Sequence, residues 1–466
     1  MGEGFENLVE LRIINGSAKS TVSSNSTGDS SDRDERPLIG GDGDFGDSDS
    51  GSSVSGAVFN LSTSIIGAGI MALPATMKVL GLLVGLFAIF AMGIISEYSI
   101  ELLIRFSVLC GSLSYGDVVE SAIGYSGRVV SEICIIINNA GVLIVYLIII
   151  GDVMSGNDKH VGVFYQWFGH TVLDHRTLVI FIVLILFLAP LCSLEKIDSL
   201  VMTSAASVAL AIVFVIVSCL IASIKIINGT VKAPRMGPDF SSKSSILDLL
   251  VVIPIMTNAY VCHFNVQPIY NDLKGRSAAK MNKVGRITTI LCVIVFAFTA
   301  VSGYLLFGDD TEPDILTNFD KNLGIKFSNG LNYIVRVGYV LHLILVFPVI
   351  HFSMRQAVGA LVFRETLLVG KKRVWGLTAI LLLLIYLGST LIPNIWVAFK
   401  FTGATTALSV GFIFPSLIAL RLGNPSDSSD FKLGETIVSW IMLVFAVLVS
   451  IVGVVGNVYS LRKSSA

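Results

Sequence analysis

The sequence predicts an all-α polytopic membrane protein of about eleven transmembrane helices, and three observations predict it. Apolar residues make up 53% of the 466-residue chain and charged residues 14%, with a mean hydropathy of +0.80; a soluble globular domain carries about 25% charged residues. The apolar residues fall into blocks near the roughly 20 residues that a helix needs to cross a bilayer. Between the blocks lie polar loops that share their Lys and Arg unequally between two sides. A formal net charge of −1 argues against nucleic acid as a partner. Cys110, Cys134, Cys192, Cys219, Cys262 and Cys292 lie in or beside apolar runs with no CxxC pair. They read as packing thiols, not as a zinc site or a disulfide framework.

Residues 1–53 stand apart. Ser, Gly and Asp dominate from Ser20 to Ser53, and so polar a segment cannot bury enough surface to offset its ordering entropy, which predicts a disordered tail. It has no signal-peptide apolar core, so the first span itself must direct insertion. The string DERPLI has Asp34 four residues ahead of Leu38 and Ile39. It resembles an acidic dileucine signal read by sorting adaptors, an address and not an anchor, and is useful only on a cytosolic tail.

The transmembrane domain is read over 54–460, with a short C-terminal tail at 461–466. Hydropathy places spans near 54–78, 80–104, 129–154, 177–193, 199–225, 245–269, 286–307, 331–354, 374–392, 395–420 and 434–459. The stretch 105–128 has room for a short interfacial helix, and the eighth span can run further. Basic residues concentrate in two short loops, Lys274, Arg276, Lys280, Lys283 and Arg286 in one, Arg355, Arg364, Lys371, Lys372 and Arg373 in the other. That bias puts the N-terminus in the cytosol. Asn228-Gly229-Thr230, a glycosylation sequon, then falls on the far side.

Two spans are patterned to be interrupted. The first holds Ser62-Thr63-Ser64, Gly67-Ala68-Gly69 and Pro74; the sixth holds Pro254, Thr257, Asn258, His263, Asn265, Gln267 and Pro268. Glycine tolerates non-helical torsions and proline removes a helix donor. Such polar density is costly at bilayer depth unless it lines a pathway, and unwound backbone is tolerated only beside a cavity. The prolines at both ends of the second cluster are expected to mark its discontinuity. If spans one to five and six to ten form inverted repeats, the two interruptions are equivalent, which points to a transport site. An unwound segment offers amide N–H groups at a half-helix N-terminus, suited to a carboxylate, and carbonyls suited to an ammonium group or cation. An α-amino acid carries both charges on one carbon.

These residues also carry a resemblance. FNLSTSIIGAGIMALP in span one, NNAGVLIVYLIIIGDV in span three, AYVCHFNVQPIYNDL in span six, SGYLLFGDD closing span seven and FTGATTALSVGFIFPSLIALR in span ten resemble the amino acid/auxin permease family of the amino acid-polyamine-organocation superfamily. The similarity covers roughly 54–460. It is greatest to the branch holding plant vacuolar-type amino acid transporters and the animal sodium-coupled neutral amino acid transporter relatives. The resemblance implies a LeuT-like five-plus-five inverted repeat with helices one and six broken. It further implies secondary transport of amino acids, coupled to protons or sodium, with no other cofactor. The substrate would meet Thr63, Ile66, Gly67, Ala68, Gly69 and Ile70, then Thr257, Asn258, Val261, Cys262 and His263. Asn138, Asn139, Thr402 and Gly403 are weaker candidates.

Sodium-coupled relatives resembling this chain carry Asn where Thr63 stands, and a hydroxyl residue near aliphatic Leu341. That departure favours protons, with a sodium symporter as the alternative. His263 and His342 are then the coupling candidates, since histidine titrates nearest neutral pH; the alternative for each is a hydrogen-bonded core histidine. Glu97 and Asp152 read as interfacial ion-pair members, and His160, His170 and His175 as loop histidines. Asp309, Asp310, Glu312 and Asp314 read as a solvated acidic loop. A receptor would show seven spans, and a channel a filter of repeated polar residues. An enzyme would show a nucleophile and base or metal ligands, and no HExxH, GxSxG or Walker string occurs. The expected setting is a vacuolar or other endomembrane.

Overall fold

The computed structural model describes residues 51–464 apart from 158–159, 241–242, 365–369, 393–394 and 424–432. Asp34, Leu38 and Ile39 lie outside the described residues. The described elements are α1 (Val54–Ile65), α2 (Gly69–Leu80), α3 (Leu82–Leu109), α4 (Tyr115–Ser155), α5 (Val163–Phe168), α6 (Arg176–Cys192), α7 (Val201–Ile227), α8 (Lys243–Tyr260), α9 (His263–Asp272), α10 (Ala278–Phe307), α11 (Ser328–Phe363), α12 (Lys371–Leu391), α13 (Ile395–Thr402), α14 (Phe414–Leu422) and α15 (Leu433–Ser464). Two π-helical turns, Gly403–Ala407 and Ser409–Ile413, join α13 to α14.

Eight described helices or helix runs are long and apolar enough to cross a bilayer, and the bent pair α1–α2 makes a ninth. The places of the fourth and sixth predicted spans are taken by α6 and by the pair α8–α9. The short α6 contains a π turn over Leu184–Leu188; α9 spends its length on Asn265, Gln267, Asn271 and Asp272.

Local chemistry sets the ends. Ser53 caps α1 by accepting from the Gly56 N–H (3.2 Å). Ser114 and Asp117 close a reciprocal capping box at the start of α4. The predicted interfacial helix is the first part of α4, set off by Gly124 at φ 80°, a torsion that suits a residue without Cβ.

Two faces follow from the connections. Ser52 bridges to the end of α9, its N–H donating to the Asp272 carbonyl (2.8 Å) while Lys274 N–H donates to the Ser52 carbonyl (3.0 Å). Asn271 donates to the Leu113 carbonyl (2.6 Å), so the chain start, the α3–α4 turn and the end of α9 share an N-terminal face. On the opposite face Arg235 donates to the Lys78 carbonyl (2.6 Å) and His160 pairs with Asp320 (3.0 Å). Asn228 is exposed at the end of α7.

The buried α11 packs along α4 and α7, and an arginine near each end of its membrane-crossing part ties it to neighbours. Arg336, 1% exposed, donates to the carbonyls of Val153 (2.9 Å) and Val161 (2.6 Å). Arg355, equally buried, donates to the carbonyls of Cys192 and Leu194 (2.7 Å) and to Thr378 Oγ1 (3.2 Å). The terminal nitrogens of both guanidinium groups are thus partnered, which offsets much of the cost of burial, while the Nε of each is buried without a partner.

Glu97 and Asp152 are ion-paired, with Arg286 (3.2 Å) and Arg176 (3.0 Å). The acidic loop departs from its expectation. Asp309 and Asp310 are exposed, but Asp314 is buried and caps a turn by accepting from the Leu316 N–H (3.0 Å). Burial pushes its carboxyl up to about 7, although the Leu316 N–H pulls the other way.

Candidate substrate site

The first interruption spans three residues. Ile66 turns extended (φ −78°, ψ 93°), its N–H still bonded to the Ser62 carbonyl (2.7 Å), and α2 restarts at Gly69 bent by 53° from α1. Ala68 precedes α2 without a side-chain cap of its own; the Ile70 and Met71 N–H groups bond back to the Gly67 (3.3 Å) and Ala68 (3.1 Å) carbonyls, which leaves the Ala68 and Gly69 N–H groups to partners from outside the helix. Two tyrosines meet this backbone. Tyr339 of α11 donates to the Gly67 carbonyl (2.7 Å), and the Ala68 N–H bonds the hydroxyl of Tyr146 on α4. Gly67 is required by that approach: a Cβ there would lie 1.9 Å from the Tyr146 hydroxyl. Gly69 is just as confined, its Cβ falling 2.8 Å from Ala259 Cα; the first interruption and the end of α8 therefore touch backbone to backbone. Ile70 lies in the first turn of α2.

The second interruption is shorter. α8 ends at Tyr260 and α9 begins at His263, with Cys262 at φ −131°, ψ 6°. It satisfies itself locally, Val261 N–H donating to the Thr257 carbonyl (3.2 Å) and Asn265 N–H to the Cys262 carbonyl (2.8 Å). The prolines do not mark the break, contrary to the sequence reading. Pro254 lies inside α8 and Pro268 inside α9, as membrane helices allow where neighbours re-satisfy the freed groups.

Side chains then join the helices. Asn258 donates to Thr402 Oγ1 (3.1 Å), while Thr402 donates to the Ala398 carbonyl (2.9 Å). Thr406 donates to Asn138 Oδ1 (3.3 Å), and Asn138 to Asn139 Oδ1 (3.3 Å). Gly403 seats this turn on α8, its Cβ position being 2.2 Å from the Pro254 carbonyl oxygen. Thr406 also donates to the Thr402 carbonyl (3.1 Å), so Asn258, Thr402, Thr406, Asn138 and Asn139 form one chain from α8 to α4, with Gly403 at its bend. Asn139 Nδ2 and Asn258 Oδ1 are buried without partners. Asn265 donates to Ser64 (2.7 Å) and accepts from Ser353, linking α9, α1 and α11.

The two coupling candidates occupy separate clusters. His342 Nδ1 donates to the Ser207 carbonyl (2.7 Å), and Thr63 hydrogen-bonds Ser207 Oγ (2.9 Å) and donates to the Ser204 carbonyl (3.1 Å); Thr63 therefore faces α7. His263 Nε2 meets Ser99 (3.0 Å) on α3, and its Nδ1 is buried without a partner. Leu341 is half exposed on the outer side of α11, so it does not face the Thr63–Ser207 pair. The inward position is His342.

Sequence reasoning missed Tyr146, Tyr339, Ser353 and Thr406. A signal existed for the first: Tyr146 follows Asn139 by seven residues, two helical turns on one face.

The transmembrane amino acid transporter protein model matches residues 50–459. The chain belongs to that family. Among similar members, "Amino acid transporter AVT6E" of Arabidopsis thaliana is 66% identical over 420 residues, 90% of this chain and 86% of that protein. "Amino acid transporter AVT6A" of the same plant is 43% identical over 436 residues, 92% and 94%. These are transporters, not enzymes. Among solved structures, MhsT in complex with L-phenylalanine aligns with a TM-score of 0.53 at 14% identity, covering 88% of this chain and 99% of that one. A mutant of the Eremococcus coleocola manganese transporter aligns at 0.52 and 11% identity, covering 87% and 94%. At such identities they establish the fold alone, which is that of LeuT-type transporters. The transmembrane amino acid transporter family member described here is thus a multi-pass membrane protein.

Proposed function

We propose that this protein is a secondary active carrier of amino acids that works by alternating access and is coupled to protons. One observation carries the reading. At the first interruption the Ala68 N–H, at the head of the α2 half-helix, faces the Tyr146 hydroxyl, a partner that a carboxylate can replace. A carboxylate there gains charge-assisted hydrogen bonds and the favourable end of the helix dipole. The unpartnered Asn139 Nδ2 and Asn258 Oδ1 offer one donor and one acceptor toward the rest of the substrate. The relatives' names as amino acid transporters and the L-phenylalanine bound to MhsT agree with this reading.

Proton coupling is supported by the cluster of His342, Ser207 and Thr63 at the junction of α1, α7 and α11. Sodium needs several oxygen ligands; here an imidazole takes the inward place on α11. The basic loops support a cytosolic N-terminal face, and the exposed Asn228 lies on the opposite one. The dileucine-like Asp34, Leu38 and Ile39 support delivery by sorting adaptors to a vacuolar or other endomembrane.

The test is purified protein in proteoliposomes, assayed by counterflow with L-alanine, L-glutamine and L-aspartate under an imposed pH gradient or an imposed sodium gradient. The reading expects saturable exchange driven by the pH gradient alone. In His342→Gln, gradient-driven uptake is lost while exchange persists. Uptake that follows sodium at constant pH overturns proton coupling, and absence of exchange with all three overturns the carrier reading.

A further inference from the structure

The N-terminal face holds a cavity of about 390 Å³ whose walls include Ile135, Phe264, Phe352 and Ser353. Its inner wall is continuous with the site above, since Ser353 donates to Asn265 and Asn265 to Ser64 of α1. Of the three carboxyl groups on this cavity, Glu132 on α4 is the one buried in its apolar wall, only 3% exposed.

Glu132 has no hydrogen bond or ion pair among the described residues. The nearby cation is committed elsewhere: Arg128 binds Asp117 (3.0 Å) and Glu120 (2.8 Å). Space for the carboxyl comes from Gly116, where a Cβ would lie 2.2 Å from Glu132 Oε1. The other charges on the cavity are Glu195 and Lys196, exposed on the α6–α7 loop, and Asp272 at the end of α9. Arg355 of α11 is turned to the carbonyls of Cys192 and Leu194. Arg128 acts on Glu132 only at a distance and is shared with two other carboxylates; a buried carboxylate without a direct partner is costly, and here it opens on a space larger than a small amino acid.

Its placement along α4 is also informative. Glu132, Asn139 and Tyr146 are spaced seven residues apart, so they lie along one face of the helix, about 20 Å from first to last. That stripe runs from the cavity to the Ala68 N–H of the first interruption.

We propose that this cavity is a second station for the transported α-amino acid, between the broken helices and the N-terminal face, where the Glu132 carboxylate receives its α-ammonium group. The proposal rests on the carrier reading. Lys196, at the mouth, is placed to attract the substrate carboxylate.

The experiment is zero-trans transport of L-alanine, L-glutamine and L-aspartate in proteoliposomes of known orientation, with KM measured separately from each face. Removing a charge-assisted hydrogen bond predicts that Glu132→Gln raises KM from the N-terminal face about ten- to a hundredfold, while KM from the opposite face changes less than about twofold. Glu132→Asp retains most of the affinity. Gly116→Ala, which displaces the carboxyl without removing it, reproduces the one-sided change and serves if Glu132→Gln does not fold. Equal KM changes from both faces, or none, overturn the proposal. So does a Glu132→Gln carrier with unchanged KM and a flattened pH dependence, which would make Glu132 a proton carrier instead. Failure of the wild type to exchange any of the three substrates is a different outcome and rejects the carrier reading itself.

Discussion

The two interrupted helices solve the same problem in different ways. Between α1 and α2, three residues leave the helix and their backbone is met by side chains from other helices, Tyr339 on the Gly67 carbonyl and Tyr146 on the Ala68 N–H. Between α8 and α9, two residues leave it and local backbone bonds close the gap, while Asn258, His263 and Asn265 reach outward to α13, α3 and α1. The difference is one of exchangeable partners. A hydroxyl on a borrowed side chain can be replaced by a ligand oxygen; a bond within one short turn cannot be replaced without unwinding it. On the carrier reading proposed above, the first interruption offers backbone to the substrate and the second offers side chains.

The largest break in that comparison comes from Gly67→Ala. Its Cβ cannot coexist with the Tyr146 hydroxyl, and overpacking of about 1–3 kcal/mol in a rigid site predicts transport reduced by about tenfold to a hundredfold. Adding Tyr146→Phe to that variant restores part of the loss. Cys262→Ala at the second interruption stays within about threefold of wild type. Equal sensitivity of the two positions in counterflow assays would erase the distinction.

How much of this was legible in the sequence differs between the interruptions for physical reasons. Gly67-Ala68-Gly69 announced the first, because only small residues let Tyr146 and Ala259 approach so closely. The second was announced for the wrong reason: Pro254 and Pro268 sit within helices, and the break falls on Val261 and Cys262, which carry no local signal. Tyr146 was hidden in an aliphatic run, since an aromatic residue with one polar atom reads as core until its partner is known. Leu341 and His342 are consecutive on α11, the first turned outward and the second buried, so a one-residue shift of register decides which of them reaches the Ser207 that Thr63 also meets. Glu132 stands near a span boundary, where a charge reads as interfacial; only the fold shows it buried beside Gly116. Asp314 was misread because a run of acids looks solvated, whereas a cap can bury one member.

A smaller effect sharpens the comparison at the first interruption. Tyr339→Phe removes the stronger of the two partners of the buried Gly67 carbonyl, leaving only the Ile70 N–H (3.3 Å), a cost of about 1 kcal/mol. It is expected to speed amide exchange at Ile70 and Met71, whose N–H groups bond the Gly67 and Ala68 carbonyls, without altering exchange at Val261 or Asn265. Asn265→Ala tests the second interruption, where Ser64 and Ser353 both lose a partner. A loss of about 1–2 kcal/mol should appear as a lower unfolding midpoint, with the backbone turn at Cys262 intact by exchange.

The smallest effect lies outside both. Asp314 is raised in the folded protein to about 7 from an ordinary 3.8. The folded state thus holds more protons between those values, and its stability falls as pH rises from about 4 through 7. Exchange protection of the turn at Leu316 and Thr317 should be greater at pH 5 than at pH 8. Asp314→Asn, which keeps an acceptor for the Leu316 N–H, should flatten that dependence.

The central claim is tested most directly by a structure of the protein in a lipid nanodisc with a transported amino acid bound. The account predicts the substrate carboxylate within hydrogen-bond distance of the Ala68 and Gly69 N–H groups, with the Tyr146 hydroxyl displaced from Ala68. A bound amino acid whose carboxylate is held by side chains elsewhere, with Tyr146 still on Ala68, would contradict it.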